Sequence, residues 1–227
     1  MVPALGFGLR TSRRRLVTPS TLVTVVFTLA VVALVALVQA NDHPLRAPTR
    51  TLHATFGVVL PLFSFVLIRQ ATGRERLGRG AWAVARFGWP RRWIVGGEVL
   101  VPTVLSVAVW TLATGLALPL AYGGHAGLAV DLRASLPVAA LAGLTYAVWF
   151  AAGATFLRRG SGIWGALGGD AVLGGGAGIL AIPWPRSHVA SLLGAPLVMD
   201  WSPRVSSLTL LLICAIGGGT IAHRAGR

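Results

Sequence analysis

The chain has 227 residues, of which 55% are hydrophobic and only 11% charged, and its formal net charge is +14. Soluble domains carry roughly a quarter charged residues, so the composition excludes an ordinary soluble domain and indicates a polytopic membrane protein. The arginines stand at the ends of apolar runs rather than along one soluble face. This distribution is typical of topology signals and argues against binding to nucleic acid.

All 20 basic residues are arginine, because the sequence contains no lysine. A Walker A phosphate loop requires a lysine, and so does a Schiff-base enzyme. This chain can therefore be neither of these on its own. We expect it to be no enzyme, with no catalytic residue and no cofactor of its own. The single cysteine, Cys214, excludes an intrachain disulfide, and the scattered histidines lack the spacing of a metal site.

The hydropathy pattern predicts an all-α protein with a single transmembrane domain over 1–227. A basic lead-in with Arg10 and Arg13–Arg15 is expected to lie at the membrane surface. Six apolar runs of about 20 residues follow, which is the length that crosses a ~30 Å hydrocarbon core. The predicted spans cover residues 20–40, 51–68, 99–121, 134–157, 161–182 and 205–222. Pro61 predicts a kink in the second span.

The fifth predicted span is unusually rich in glycine and contains an acid, Asp170. Two glycine pairs have the spacing that lets another helix approach closely: Gly165 with Gly169, and Gly174 with Gly178. The next segment, 183–203, has only about eleven apolar residues between prolines, too few to span. It predicts a re-entrant or interfacial piece between spans five and six.

Six spans would place both termini on one side of the membrane. The two termini, the loop between spans two and three, and the turn after span four hold 15 of the 20 arginines. Short cytoplasmic loops carry the excess of basic residues. The count therefore predicts a plasma (inner) membrane protein with both termini in the cytoplasm.

The longest polar interruption is Arg69–Glu98, which holds seven arginines. A helix over Arg74–Phe87 would place charges on one arc and apolar residues on the other, with Glu75 and Arg79 as an i,i+4 pair. This pattern predicts an amphipathic cytoplasmic helix between spans two and three. One interpretation is that its arginines do no more than fix the topology and contact anionic headgroups. Their number favours the other interpretation, a docking element for a partner.

At this point the residues resemble a known family. Glu75, Gly80, Trp82–Phe87, Pro90–Arg92 and Gly97–Glu98 follow two apolar spans in an order that resembles the permease subunits of the ABC-2 type of ABC transporters. The family usually has lysine where this chain has Glu98, and its segment commonly holds more acids.

The resemblance implies that the 74–92 segment is a coupling helix on a separate ATP-binding subunit, which would hold ATP and Mg. It also implies export, through a pathway formed by a homodimer or heterodimer of permeases. The residues expected to couple to the partner are Arg74, Glu75, Arg76, Arg79, Trp82, Arg86, Pro90, Arg91 and Arg92.

Asp170 is the most conspicuous residue within a predicted span, because an unpaired charge at mid-bilayer costs at least ~2.5–3.5 kcal/mol. Either it belongs to a substrate path or helix contact, together with His53 and the four paired glycines, or it is a protonated or arginine-paired acid near the end of a broken helix. So few polar groups favour a lipophilic or amphipathic substrate. The alternative to a permease is a non-transporting scaffold or a substrate-binding subunit of another membrane complex.

Overall fold

The computed structural model describes residues 2–42, 44–176, 178–196 and 198–226, and these ranges contain helices and turns but no strand. The α-helices, in chain order, are α1 (Val2–Leu16), α2 (Pro19–Asp42), α3 (Ala47–Ala54), α4 (Leu60–Ala71), α5 (Ala81–Ala85), α6 (Arg91–Tyr122), α7 (Leu128–Gly153), α8 (Gly162–Leu173), α9 (Pro185–Leu192) and α10 (Pro203–Gly226). The all-α prediction is confirmed for these ranges. Arg227, which the arginine count includes, lies outside them.

Five helical stretches are long and apolar enough to cross a membrane. They are Pro19–Asp42, Ala47–Ala71, Arg91–Tyr122, Leu128–Gly153 and Pro203–Arg224. They correspond to predicted spans one, two, three, four and six, with bounds that shift by one to eight residues. The sequence prediction of long apolar helices is therefore confirmed for these five.

The second of these stretches is helical throughout but locally widened. A π-helical turn over Thr55–Val59 joins α3 to α4, and the amide of Leu60 donates to the carbonyl of Thr55, five residues back. Pro61 follows directly, and a proline cannot donate to the preceding turn and crowds its carbonyl. The helix continues across this wide turn and past the proline into α4.

Helix α6 stands at the centre of the molecule. Its 32 residues extend for about 48 Å at 1.5 Å per residue, which exceeds the hydrocarbon core of a bilayer. Most of the other long helices pack against it, and its Trp110 lies fully buried with Tyr146 of α7. The lead-in helix α1 also packs on α6, where Gly8 meets the Ile94 carbonyl. The lead-in is therefore held by protein contacts and not only by the membrane surface.

The fifth predicted span, 161–182, is not one continuous helix. Helix α8 has 12 residues, about 18 Å of rise, which is shorter than the hydrocarbon core. It ends at Leu173, before the glycine run Gly174–Gly176, because glycine favours leaving the helix over continuing it. The chain then returns through a short 3-10 turn to α9, whose start lies beside the end of α8.

The predicted amphipathic helix over 74–87 is also shorter than expected. Only Ala81–Ala85 is α-helical, and residues before it form turns. Gly73, Arg74 and Gly78 have left-handed backbone with φ of 63°, 61° and 87°, and such residues interrupt a right-handed helix. Glu75 and Arg79 do lie beside each other, as their i,i+4 spacing predicts. The spacing does not reveal the break in the helix.

Candidate functional site

The segment between α4 and α6, which we call the 72–90 segment, is anchored by its apolar residues at one end of the helix bundle. The Leu77 amide donates to the Ala154 carbonyl at 3.1 Å, just after α7 ends. Leu77 and Ala81 are buried, with 8% and 0% of their surface exposed. A Cβ on Gly160 would lie 2.8 Å from the Glu75 carbonyl oxygen, so the segment and the turn after α7 are in close contact.

The charged residues of this segment face outward. Of the nine predicted coupling residues, all are exposed except Arg91, which is half-buried. The Arg79 guanidinium lies 4.0 Å from the Glu75 carboxylate, a surface pair that contributes at most about 1 kcal/mol. Arg91 lies over the Trp82 ring at 5.9 Å. The segment thus presents a basic and aromatic surface on a buried apolar base.

Three arginines that the sequence analysis treated only as topology signals complete this surface. Arg158 and Arg159, after α7, and Arg224, near the end of α10, line one cleft of about 970 Å³ with part of the 72–90 segment. We call this the arginine cleft; its lining is Arg76, Leu77, Gly78, Arg79, Trp82, Arg91, Leu157, Arg158, Arg159 and Arg224. None of these described lining residues is acidic. No local sequence signal could have joined positions more than 60 residues apart.

The turn that carries two of these arginines has an unusual backbone. Leu157 and Arg159 adopt left-handed φ values of 61° and 54°, which cost non-glycine residues about 1–3 kcal/mol each and often mark functional positions. Arg224 is held beside this turn, because its Nε donates to the Thr155 carbonyl at 3.4 Å and its guanidinium lies 4.0 Å above the Phe156 ring. The cleft is therefore built by tertiary contacts from several elements.

Glu98 lies behind the segment, at the start of α6. It is 5% exposed, and its carboxylate stands with the Arg15 guanidinium next to Gly80, at 3.8 and 3.7 Å from where a Cβ of that glycine would lie. Arg15 also donates to the Ala71 carbonyl at 3.1 Å. Because Arg15 belongs to α1, the buried Glu98 carboxylate lies beside a basic residue of a neighbouring helix.

Asp170 is buried and fully engaged by protein groups. The Tyr146 hydroxyl donates to its Oδ2 at 2.9 Å, and the Arg186 amide donates to its Oδ1 at 3.0 Å. Arg186 is the second residue of α9, so the carboxylate accepts from one of the free amides at the N-terminus of that helix, where negative charge is favourable. Asp170 is thus a contact between helices near the end of a broken helix, and its partner on α9 is the Arg186 backbone amide.

A buried network of polar and aromatic side chains continues from Tyr146 across the bundle. Tyr146 stacks on Trp110 at 5.3 Å between ring centres. The Trp110 indole donates to the Ser64 hydroxyl at 2.9 Å, and the Ser106 hydroxyl donates to the Gly143 carbonyl at 3.0 Å. Isolated serines and aromatic residues within apolar spans carry no motif, so this network could not be recognised from the sequence.

The remaining predicted path residues divide between a small cavity, packing contacts and open surface. His53 and Gly174 line a cavity of about 320 Å³ beside Arg186. Gly169 is in packing contact with Trp184, because a Cβ there would overlap the indole ring. Gly165 and Gly178 have no atom within 4 Å of a would-be Cβ. The two predicted glycine pairs therefore contribute one close contact each within this chain.

Among the described residues, no group of three histidine, cysteine or acidic side chains is placed to hold a metal ion. Comparison with protein-family models, curated proteins and solved structures finds no match to this chain. The arrangement that stands out is therefore the basic end of the bundle, where the 72–90 segment and the arginine cleft meet.

Proposed function

We propose that this protein is the transmembrane permease subunit of an ATP-driven exporter of the ABC-2 type. The observation that carries the proposal is the 72–90 segment, which has a buried apolar base and an exposed basic surface at one end of a bundle of long apolar helices. Such a surface suits docking to a soluble partner. ATP and Mg would be held by that partner, since this chain has no lysine for a Walker A loop.

The contacts of the segment suit it to transmit force. Leu77 is hydrogen-bonded to the end of α7, and Gly80 adjoins the Arg15 and Glu98 side chains of α1 and α6. A displacement of the segment by nucleotide-driven closure of the partner would therefore act on three helices together. Packed helices respond to such a push by shifting between discrete arrangements, which is what alternating access to a transport path requires.

The transport path would form between two permease subunits, as a homodimer or heterodimer. The basic end of the bundle would lie in the cytoplasm of a plasma membrane, following the excess of arginines there. The resemblance to ABC-2 permeases implies export. Large apolar side chains are exposed along α2 and α10. These surfaces can line a transport path or face the lipid, and a path lined by them suits a lipophilic or amphipathic substrate.

Docking can be tested by charge reversal of arginines that lie outside the arginine cleft. An Arg86→Glu/Arg92→Glu variant should lose co-purification with the ATP-binding subunit and its stimulation of ATPase activity, by at least tenfold, because a basic docking surface becomes partly acidic. Arg133→Glu, an exposed arginine after the α6–α7 loop, serves as the matched control and should leave both unchanged. Isolation of the wild-type chain without any ATP-binding partner, and no stimulation by such a partner, would exclude the permease in favour of a scaffold.

A further inference from the structure

A second surface adjoins the arginine cleft and has the opposite chemistry. It is a groove of about 480 Å³ between α7, α8 and α10. We call it the apolar groove; its lining is Trp149, Ala152, Gly153, Phe156, Gly165, Ala166, Pro183, Trp184, Ile213, Ile216, Gly217 and Thr220. The Thr220 hydroxyl already donates to the Ile216 carbonyl at 2.8 Å, and the Trp149 indole to the Ala166 carbonyl at 3.3 Å. These walls suit hydrocarbon.

The groove and the cleft are connected along the same helix faces. On α10, Ile213, Gly217, Thr220 and Arg224 follow one another at intervals of three or four residues, so they share one face. The first three line the groove and the last lines the cleft. At the end of α7, Phe156 lines the groove, the next residue lines the cleft, and the Arg224 guanidinium stands 4.0 Å above the Phe156 ring.

The length of this connected surface matches half of a bilayer. Ile213 and Arg224 are 11 residues apart, which is about 16 Å of helix at 1.5 Å per residue. Half of a ~30 Å hydrocarbon core is about 15 Å. Trp184, which comes after the break in α8, is also part of the groove lining. An acyl chain in the groove would thus have its headgroup at the level of the arginines.

The charge of the cleft selects the headgroup. Six arginines line it, and no described lining residue is acidic. The carboxylate of Glu75 stands beside one of them, Arg79, at 4.0 Å, so the positive charge of the cleft is far from balanced by the protein. Arginine binds phosphate through paired N–H donors, and basic pockets between membrane helices bind anionic lipid headgroups. An acidic protein segment would satisfy the cleft but would leave the groove unexplained.

We propose that the arginine cleft and the apolar groove together form a binding site for an anionic phospholipid, with its phosphate in the cleft and one acyl chain in the groove. Lipid binding at this site does not require that the protein be a permease. Its occupant would join the 72–90 segment to the ends of α7 and α10. Loss of the lipid would therefore loosen the contact between that segment and the bundle.

The test measures lipid binding to the purified full chain in detergent by native mass spectrometry, with dioleoylphosphatidylglycerol compared with dioleoylphosphatidylcholine. The wild-type protein should bind the anionic lipid at least tenfold more tightly. An Arg158→Gln/Arg159→Gln/Arg224→Gln variant should lose that preference, whereas Arg133→Gln should keep it. Equal binding of the two lipids by the wild type, or an unchanged preference in the triple variant, would overturn the proposal.

A steric variant tests the acyl-chain part and does not alter charge. Gly165 lines the groove and has open space at its Cβ position, and Gly168 on the same helix is equally open but does not line the groove. Gly165→Leu should weaken binding of the anionic lipid at least fivefold, whereas Gly168→Leu should not.

Two further results would assign the cleft to other occupants. Inorganic pyrophosphate should displace the lipid only weakly; complete displacement together with no effect of Gly165→Leu would show a site for free phosphate. Absence of a lipid preference, together with loss of an ATP-binding partner in the triple arginine variant, would assign the cleft to an acidic protein surface. Either result would overturn the lipid site, and neither bears on docking through Arg86 and Arg92.

Discussion

At the scale of single residues, Asp170 shows how a buried acid can be used for architecture. Its two carboxylate oxygens accept from the Tyr146 hydroxyl and from the Arg186 amide. These contacts tie α7 and α8 to the start of α9 at the point where the chain turns back. The carboxylate therefore stabilises the broken part of the bundle, and its hydrogen bonds offset much of the cost of burying it.

Substitutions of Asp170 should separate shape from hydrogen bonding. Asp170→Ala leaves the buried Tyr146 hydroxyl and the part-buried Arg186 amide without an acceptor. An unsatisfied buried donor costs about 1–3 kcal/mol, so we expect a clear fall in the thermal unfolding midpoint in detergent. Asp170→Asn keeps a side-chain acceptor and should lower the midpoint less. Asp200→Asn, at an exposed acid, is the control. Equal midpoints for Asp170→Ala and the wild type would show that these bonds do not stabilise the fold.

At the scale of elements, the contact of α1 with α6 depends on two glycines. A Cβ on Gly97 would overlap the Leu5 carbonyl, and one on Gly8 would overlap the Ile94 carbonyl. Only glycine lets the two backbones approach this closely. The contact positions Arg15 beside Glu98 and beneath the 72–90 segment, so the lead-in helix forms part of the basic end of the bundle.

Adjacent glycines of α6 provide a matched pair for testing this contact. Gly97→Ala should destabilise the protein by about 1–3 kcal/mol, as overpacking does, and should increase proteolysis within α1. Gly96→Ala meets nothing within 4 Å and should be neutral or stabilising by up to about 1 kcal/mol, since alanine favours helix. The measurement is thermal unfolding with limited proteolysis. A similar response of both variants would show that α1 does not need the close approach.

The sequence predicted α8 and the 72–90 segment less well than the long spans, for a physical reason. Hydropathy measures how apolar a stretch is, and it does not detect a turn made by Gly174–Gly176 within an apolar run. In the same way, the helical projection of 74–87 assumed regular dihedrals, whereas Gly73, Arg74 and Gly78 are left-handed. The predicted chemistry of the segment, with an apolar base and a charged exposed surface, did not depend on that regularity.

At the scale of the whole molecule, the packing collects basic residues from distant parts of the chain at one end. Arg15 of α1, Arg158 after α7 and Arg224 of α10 all lie near the 72–90 segment through the contacts described above. In a membrane this end should face the cytoplasm, because basic residues are retained there. The opposite end carries the α6–α7 loop, which includes the exposed His125.

The orientation can be measured with single cysteines in a Cys214→Ser background. An impermeant maleimide added to intact cells should label His125→Cys but not Phe87→Cys, which lies on the exposed surface of the 72–90 segment. After the membrane is permeabilised, both should be labelled. Labelling of Phe87→Cys in intact cells would place the basic end outside and would contradict docking to a cytoplasmic ATP-binding subunit.

The sequence by itself determined the helical class, five of the long apolar stretches and the basic character of the 72–90 segment, because helix length, hydropathy and charge are local properties. Only the tertiary structure decided that α8 breaks after Leu173, that Asp170 accepts from α9, and that Arg158 and Arg224 join Arg79 in one cleft. These features depend on which distant residues meet when helices pack. The packing of α6 against its neighbours, and not any single stretch, brings them together.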